Sequence, residues 1–308
     1  ARTFVCPVMH STLLRRLAVF WVLFLTAFRS VAPASQLPDL SRLEWQEEQL
    51  APGALFRQAQ VKDLFGAPQF ICLLAVETQH PRTRIRFAAA HQFGMREMTT
   101  PELAEKAGAL AAINGGFFDV TTNANCGILK IDGKVFPFTK RESEELLFVG
   151  SSAVGLDKRG RWHFMVRQKE TWDEDWKDMR HALAGGHPLV LNGKIVSQID
   201  REAFDPRREQ RHAGGRNPRT AIGVTTNQVA LLITIDGRHA GEAEGVTLRQ
   251  LAQLMQTLGC DNAINLDGGG STTMWLRGRG IVNHPCDNGQ FDHAGARRVR
   301  TAVVLVEK

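Results

Sequence analysis

The 308 residues are 43% hydrophobic and 23% charged, which supplies a buried core and excludes an intrinsically disordered chain. The formal net charge is +6, but Arg2, Arg15, Arg16 and Arg29 all fall within residues 1–34, which carry no acid, so the rest of the chain stands at +2. That residue of charge is no electrostatic footprint for nucleic acid, and no nucleic-acid partner is expected.

In chain order, the first element reads as an export signal. Arg15 and Arg16 precede an uncharged apolar run from Leu17 to Phe28, and Ala32-Pro33-Ala34 offers small residues at signal-peptidase spacing. The run is short of the ~20 apolar residues that span a bilayer. A signal peptide over 1–34, a periplasmic or secreted product and no stable membrane insertion after cleavage are therefore expected over an uncleaved anchor. Residues 35–69 are polar and mixed and read as a linker or edge segment ahead of a domain over 70–308.

Within that domain Phe70–Val76 and Thr83–Ala90 are strand candidates. Thr100-Pro101-Glu102 opens a helix, with a hydroxyl cap, proline in the first turn and an early acid, and the helix stops near Gly108. Ala109–Ile113 then forms a short strand that delivers Asn114-Gly115-Gly116-Phe117-Phe118-Asp119. Gly127–Lys134 ends in an Asp-Gly turn, and Gly150–Phe164 reads as a hairpin about Asp157–Gly160. The charged, aromatic stretch Thr171–Met179, with Trp172 and Trp176, reads as solvated; the Arg- and Asp-rich residues 200–218 read as an exposed loop over the site.

The second half is more regular. Gly185-Gly186-His187-Pro188 enters strand Leu189–Leu191 and an Asn192-Gly193 turn, and Asn217-Pro218-Arg219-Thr220 enters Ala221–Val224. Val229–Ile235 is a buried strand ending at Asp236-Gly237-Arg238-His239. From a Thr247 cap to a Gly259 stop, Leu248, Leu251, Leu254, Met255 and Leu258 recur at helical spacing. That helix feeds the Asn262–Asp267 strand and Gly268-Gly269-Gly270-Ser271-Thr272-Thr273; a hairpin about Arg277–Gly280 and a strand over Arg298–Val306 close the chain. Thr100–Asp119 and Thr247–Ser271 share a plan of capped helix, Gly stop, strand and glycine loop, which is either a duplication placing two loops on one sheet edge or a chance echo.

Cys72, Cys126, Cys260 and Cys286 remain once the signal leaves with Cys6. They show no zinc-like spacing; Cys260 reads as a buried thiol, and Cys126 with Cys286 is the pair to expect if any is bridged.

Five segments end predicted strands in a fixed order: N-G-G-F-F-D at 114–119, N-P-R-T at 217–220, D-G-R at 236–238, L-D-G-G-G-S-T-T at 266–273 and N-H-P-C-D at 283–287. In combination they resemble the phosphodiester glycosidase family, whose best-known activity uncovers mannose 6-phosphate by removing N-acetylglucosamine from a phosphodiester. The resemblance runs from about residue 70 to the end. It implies an α+β fold, a mixed β-sheet with flanking helices, in a single catalytic domain after the signal peptide. The chain departs from the family pattern at Cys286, where Ser is common, at Ala296, where an acid precedes the arginine, and at His187, where a smaller residue is usual. These differences bear on the substrate more than on the reaction class.

Read as chemistry, cleaving a sugar–phosphate link calls for a carboxylate near an oxocarbenium-like centre and a cationic clamp for a leaving group that is already a good anion. Asp267 is the first carboxylate and Asp236 the second, each with the alternative of a turn Asp bonded to its own loop. Arg219 is the leading phosphate clamp, because guanidinium matches phosphate in a bidentate way, with a surface ion pair as its alternative; Arg297 is the second clamp. Gly268, Gly269 and Gly270 with Ser271 and Thr272 form a donor-rich rim for phosphate or sugar oxygens. Asn114, Gly115, Gly116 and Thr220 complete the substrate-binding set; Asp119 would bind sugar or cap its own loop. His239 and His284 could shuttle protons or be structural. No cofactor and no metal are expected, and the partner is a glycan or sugar phosphate.

Three other classes compete. A serine hydrolase needs a nucleophile elbow, which G-G-G-S-T-T is not. A metal-dependent phosphodiesterase would draw on Asp236, Asp267 and Asp287 without a familiar metal spacing. A non-catalytic carbohydrate-binding module of exopolysaccharide metabolism would keep the glycines and tolerate loss of Asp267.

Overall fold

A computed structural model describes residues 37–119, 121–122, 124–139, 150–166, 176–196, 199 and 213–308. The expected signal peptide, Trp172 and most of the 200–218 loop lie outside the described residues. Residues 37–308 pack as one unit, and no described helix is long and apolar enough to cross a membrane.

The clearest sequence signal, Val229–Ile235, lies in the middle of an eight-stranded sheet. Its order is Gln46–Ala51, Ala54–Leu64, Ala67–Glu77, Val229–Ile235, Arg219–Thr225, Cys260–Asn265, Pro188–Leu191 and Lys194–Ile195. Every pairing in it is antiparallel. Side chains alternate across a strand, so Leu232 enters one core while Leu231 and Ile233 enter another. A strand covered on both faces must be apolar throughout, which is why this segment carries no polar stripe.

One face of that sheet meets two five-stranded sheets. The first runs Gly280–Ile281, Met274–Leu276, Ala111–Asn114, Thr301–Glu307, Thr83–Ala89; the second runs Trp162–Val166, Ser152–Asp157, Met179–Ala184, Leu129–Ile131, Lys134–Val135. Phe56, Leu74, Ile222 and Ile264 from the large sheet pack there against Phe87, Ile113 and Val303 from one and Leu129, Val154 and Leu183 from the other. The opposite face is covered by the Leu248–Thr257 helix through Leu248, Leu251, Leu254 and Met255. The Thr100–Lys106 helix covers the outer side of the first five-stranded sheet through Leu103 and Ala104.

The structure amends the expected class. The protein is mostly β, built from several sheets, with two α-helices among the described residues. Parallel pairing among the described residues is confined to Phe138–Thr139 with Asn125–Cys126, because each helix crosses over one intervening antiparallel strand and the strands it connects are not direct neighbours. The segment over 35–69 supplies two strands at one edge of the large sheet, and the hairpin joining Ala54–Leu64 to Ala67–Glu77 continues through residue 70. The first helix is capped by Thr99, one residue before the expected Thr100, with Glu102 closing the capping box. The two segments that share a plan place their strands in different sheets. No disulfide joins Cys126 to Cys286 among the described residues.

Leu251 is fully buried beneath the central strands, whereas Thr247 contributes only a cap, its hydroxyl accepting from Gln250 N at 3.1 Å. Leu251→Ala should lower unfolding free energy by about 2–5 kcal/mol and Thr247→Ala by about 1 kcal/mol. Urea denaturation of both variants checks the ranking; equal losses would contradict the docking of this helix.

Candidate active site

The site is assembled around a side chain rather than a loop. Asn114 ends its strand fully buried, and its Oδ1 accepts from Thr220 Oγ1 at 2.8 Å and from Thr273 N at 3.2 Å. Its Nδ2 donates to Asp267 O at 2.7 Å, and Asp267 N donates to Gly115 O at 3.1 Å. The two glycine loops noticed in the sequence therefore meet, although their strands belong to different sheets. Thr220 Oγ1 also lies 3.3 Å from Thr272 Oγ1.

The glycines serve close packing more than donation to a ligand. Gly115 N donates to Thr301 O and Gly116 N to Thr301 Oγ1, at 2.8 and 3.0 Å. A Cβ on Gly115 would overlap Thr301, and one on Gly116 would overlap the Ala184 carbonyl. Gly269, at φ +60°, donates to Pro218 O at 2.9 Å, and a Cβ on Gly268 would stand 2.7 Å from that same oxygen. The expected donor rim is thus largely engaged within the protein. Ser271 follows suit, its hydroxyl donating to Asp267 Oδ2 at 2.7 Å.

Asp267 is half-buried, and burial pushes its carboxyl up to about 6 against the Ser271 hydrogen bond and the charge of Arg297. Arg297 grips Asp287 bidentately, Nε to Oδ2 at 2.7 Å and Nη2 to Oδ1 at 2.8 Å. Both side chains lie directly on Gly270, where a Cβ would overlap each of them. Arg238 covers the next glycine, its Nη2 3.1 Å from where a Gly269 Cβ would sit. It is exposed, holds φ +67°, and donates to Asn217 Oδ1 at 3.0 Å. No carboxylate lies within 4.0 Å of it among the described residues. The asparagine of N-P-R-T and the arginine of D-G-R thus cooperate, which neither segment discloses alone.

Two expected residues sit deeper than their assigned roles required. Arg219, the expected clamp, is 1% exposed, with Nε on Val246 O at 3.0 Å and Nη2 on Gly215 O at 3.0 Å. It is the first residue of a central strand, so its side chain supports the loop from below while Arg238 occupies the surface. Burial and then Arg238's charge pull its pKa below the usual arginine value. Asp236 is also 1% exposed and accepts from Asn283 Nδ2, His284 N and His284 Nδ1, each at 2.8 Å. It therefore orients His284, whose ring stacks on Phe291 with centroids 3.7 Å apart and borders a cleft of about 270 Å³.

The remaining expectations divide. Asp119 caps its own loop through Thr121 N at 2.8 Å and Thr122 N at 3.1 Å. His239 is buried with its ring edge against Phe291. His187 is buried beneath Arg219's field, and burial with that charge brings it down to about 4, so it is neutral at physiological pH. Asp236, Asp267 and Asp287 have separate partners and form no metal-holding group among the described residues. Asn265 went unnoticed as a site residue: it is 1% exposed at the end of its strand, and neither Oδ1 nor Nδ2 has a partner among the described residues. An unpaired buried amide costs about 1–3 kcal/mol, which makes it a candidate ligand-facing group.

Comparison with known proteins places this arrangement. The family model described as phosphodiester glycosidase matches residues 107–306, well over half of the chain. The N-acetylglucosamine-1-phosphodiester alpha-N-acetylglucosaminidase of Bos taurus is 28% identical over 228 residues, covering 69% of this chain and 40% of that protein. The Homo sapiens protein of that name is 26% identical over 218 residues with the same coverage. This chain thus spans less than half the length of those curated relatives. Among solved structures, the zebrafish catalytic domain of that enzyme, auto-inhibited by its pro-peptide, aligns with a TM-score of 0.65 at 22% identity, covering 86% of this chain and 88% of that one. A hypothetical protein from Synechocystis aligns equally well, TM-score 0.65 at 16% identity, covering 86% of this chain and 64% of that one. At these identities the structural matches speak for the fold.

The opposed fields of Arg297 and Asp287 at Asp267 generate a prediction about its titration. Arg297 lowers its pKa and Asp287 raises it. Asp287→Asn should therefore move the Asp267 midpoint below about 6, by removing an anion and releasing Arg297, and Arg297→Gln should move it above. ¹³C-carboxyl NMR with labelled aspartate, assigned through Asp267→Asn, reads both shifts; movement in the same direction would contradict the geometry.

Proposed function

The chain belongs to the phosphodiester glycosidase family, and on that premise we propose that it hydrolyses a sugar-1-phosphodiester by breaking the bond between the anomeric carbon and its oxygen. The observation that carries this reading is the half-buried Asp267 carboxyl, near pKa 6, beside two glycines covered by Arg238 and Arg297. Above pH 6 the carboxylate is charged and stabilises an oxocarbenium-like centre. Arg238 and the unshared edge of Arg297 receive the phosphate, which departs as an anion and needs little protonation. Water adds to the anomeric carbon and gives up one proton, which this reading assigns to His284, held at Nδ1 by Asp236. Asn265 supplies an amide for a sugar hydroxyl. N-acetylglucosamine is the sugar named for the mammalian relatives, and it heads the list of substrates to try.

Asp267→Asn preserves size and hydrogen bonding while removing the charge, so kcat should fall by at least ~100-fold, the scale of one lost electrostatic contact in the transition state. Near-normal turnover in the folded variant would remove Asp267 from the mechanism. The wild-type pH–rate profile should rise through about pH 6 and level above it, since the ionised form is the active one.

Arg238→Lys keeps charge but loses the planar fork, and should raise KM with a smaller loss in kcat, while Arg238→Ala should impair both. Wild-type kinetics in both variants would assign Arg238 a structural role.

Bond position is tested separately. Hydrolysis in ¹⁸O-water should label the released sugar and leave the phosphomonoester unlabelled, read early because the hemiacetal exchanges. Label in the phosphate, with activity lost to EDTA, would establish a metal-dependent phosphodiesterase instead.

A further inference from the structure

The glycine loop occupies one end of the central strands, and the other end carries two adjoining clefts that this chemistry does not use. Asp236 follows the last residue of Val229–Ile235, while Glu77 pairs with Val229 at its start and Thr78 N donates to Gln228 O. At about 3.3 Å per residue, the strand separates the two ends by roughly 20 Å.

The first cleft, of about 240 Å³, is lined by six cations: Arg84, Arg86, Lys158, Arg159, Arg180 and Lys308. Two acids also line it, Glu77 and Asp157, and Asp157 is committed to Arg161 Nε at 2.7 Å and to the Arg159 and Arg161 N–H groups. Asp132, outside the lining, answers Arg180 at 2.8 Å and Arg86 at 3.8 Å. Arg84, Lys158 and Arg159 have no carboxylate within 4.0 Å among the described residues, so the cleft keeps an excess of positive charge. The neighbours register it. Arg84 is lowered from its ordinary pKa by burial and then by Arg86 and Arg180, and burial with the fields of Arg180, Arg86 and Arg84 outweighs Asp132 to bring His181 down to about 4.

Trp162 is shared with the second cleft, of about 270 Å³, which adds Phe164, Gln228, Asp261 and Asn262. Trp162 and Phe164 lie two residues apart on an edge strand, half-buried, with centroids 6.3 Å apart and planes 19° from parallel. Two near-parallel aromatic faces bordered by amides match pyranose chemistry: the C–H face of the ring packs on the aromatic and its hydroxyls reach the amides. A nucleic acid would demand a continuous cationic track, but here the cations end at Trp162 and Asp261 lies in the next cleft.

We propose that the two clefts form a secondary binding site for an anionic glycan chain, with sugar rings on Trp162 and Phe164 and acidic groups among Arg84, Arg159 and Lys158. Binding there does not depend on the hydrolytic reading; retention of a polymeric substrate near Asp267 would rest on it.

The test is calorimetric binding of oligogalacturonate to the purified protein, with dextran oligomers of matched length and single-stranded DNA as comparisons. Oligogalacturonate should bind and dextran should not. Binding should weaken at least about tenfold in an Arg84→Gln/Arg159→Gln variant, as expected for losing charge-assisted hydrogen bonds. Trp162→Ala should weaken it comparably, and Asp267→Asn should leave it unchanged, so failure of the catalytic reading would be seen apart from failure of this one. Arg84 and Arg159 are exposed, so the double variant tests the site even if Trp162→Ala misfolds. Absence of oligogalacturonate binding, or wild-type affinity in the arginine variant, would overturn the proposal. DNA binding as tight as that of the glycan, with no effect of Trp162→Ala in a folded protein, would also overturn it by showing charge attraction alone.

Discussion

The buried amide of Asn114 holds the chemistry together. It belongs to a strand of one five-stranded sheet, yet it receives hydrogen bonds from Thr220 in the eight-stranded sheet and Thr273 beyond the glycine turn, and donates to the main chain of Asp267. In a low-dielectric interior such a network strengthens each of its bonds and penalises the loss of any one, because the groups left behind have no water to replace the partner. Two sheets that could slide on an apolar interface are thereby held in one register where the glycine loop is formed. The position of Asp267 is a consequence of sheet packing, and its turn inherits that rigidity.

The glycines follow from the same constraint. Gly115 and Gly116 let one sheet approach Thr301 and Ala184 closely, and Gly268 lets the turn pass under Pro218. Gly270 leaves room where any side chain would collide with Asp287 and Arg297, and Gly269 leaves room for the Arg238 guanidinium to lie close. A glycine-rich loop read as a row of donors for phosphate is here a seat for two arginines. The backbone supplies the space that the two guanidinium groups occupy.

Much of the architecture was legible because periodicity reports burial. Val229–Ile235 and Leu248–Met255 are apolar at strand and helix spacing, and each lies where that pattern requires. Asp267 was legible as a candidate because it stands at a strand end before three glycines, and the structure sets it against Ser271 in the field of Arg297. The depth of the charged residues was not legible, because charge in a sequence carries no sign of which way it points. Arg219 begins a strand and turns inward to carbonyls, while Arg238, three residues past the neighbouring strand's end, takes a left-handed backbone and remains at the surface. Asp236 looked like a second catalytic acid, but the donors that withdraw it, Asn283 and His284, lie 47 and 48 positions away along the chain. Asn265 passed unnoticed since only the folded interior reveals that its amide has no partner.

The same arrangement settles how a desolvated carboxylate stays usable. An unpaired Arg297 would hold the Asp267 carboxyl well below its present midpoint and make it a weaker base. Asp287 tempers that field by gripping the guanidinium from the far side, and its own charge raises Asp267 further. Burial supplies the largest upward push, so the carboxyl rests near 6 with Ser271 fixing one oxygen. The acid is thereby ionised at neutral pH but close enough to its midpoint to respond to charge developing beside it. On the proposed reading, a bound phosphate anion would raise Asp267 further, and its departure would return the carboxyl toward about 6.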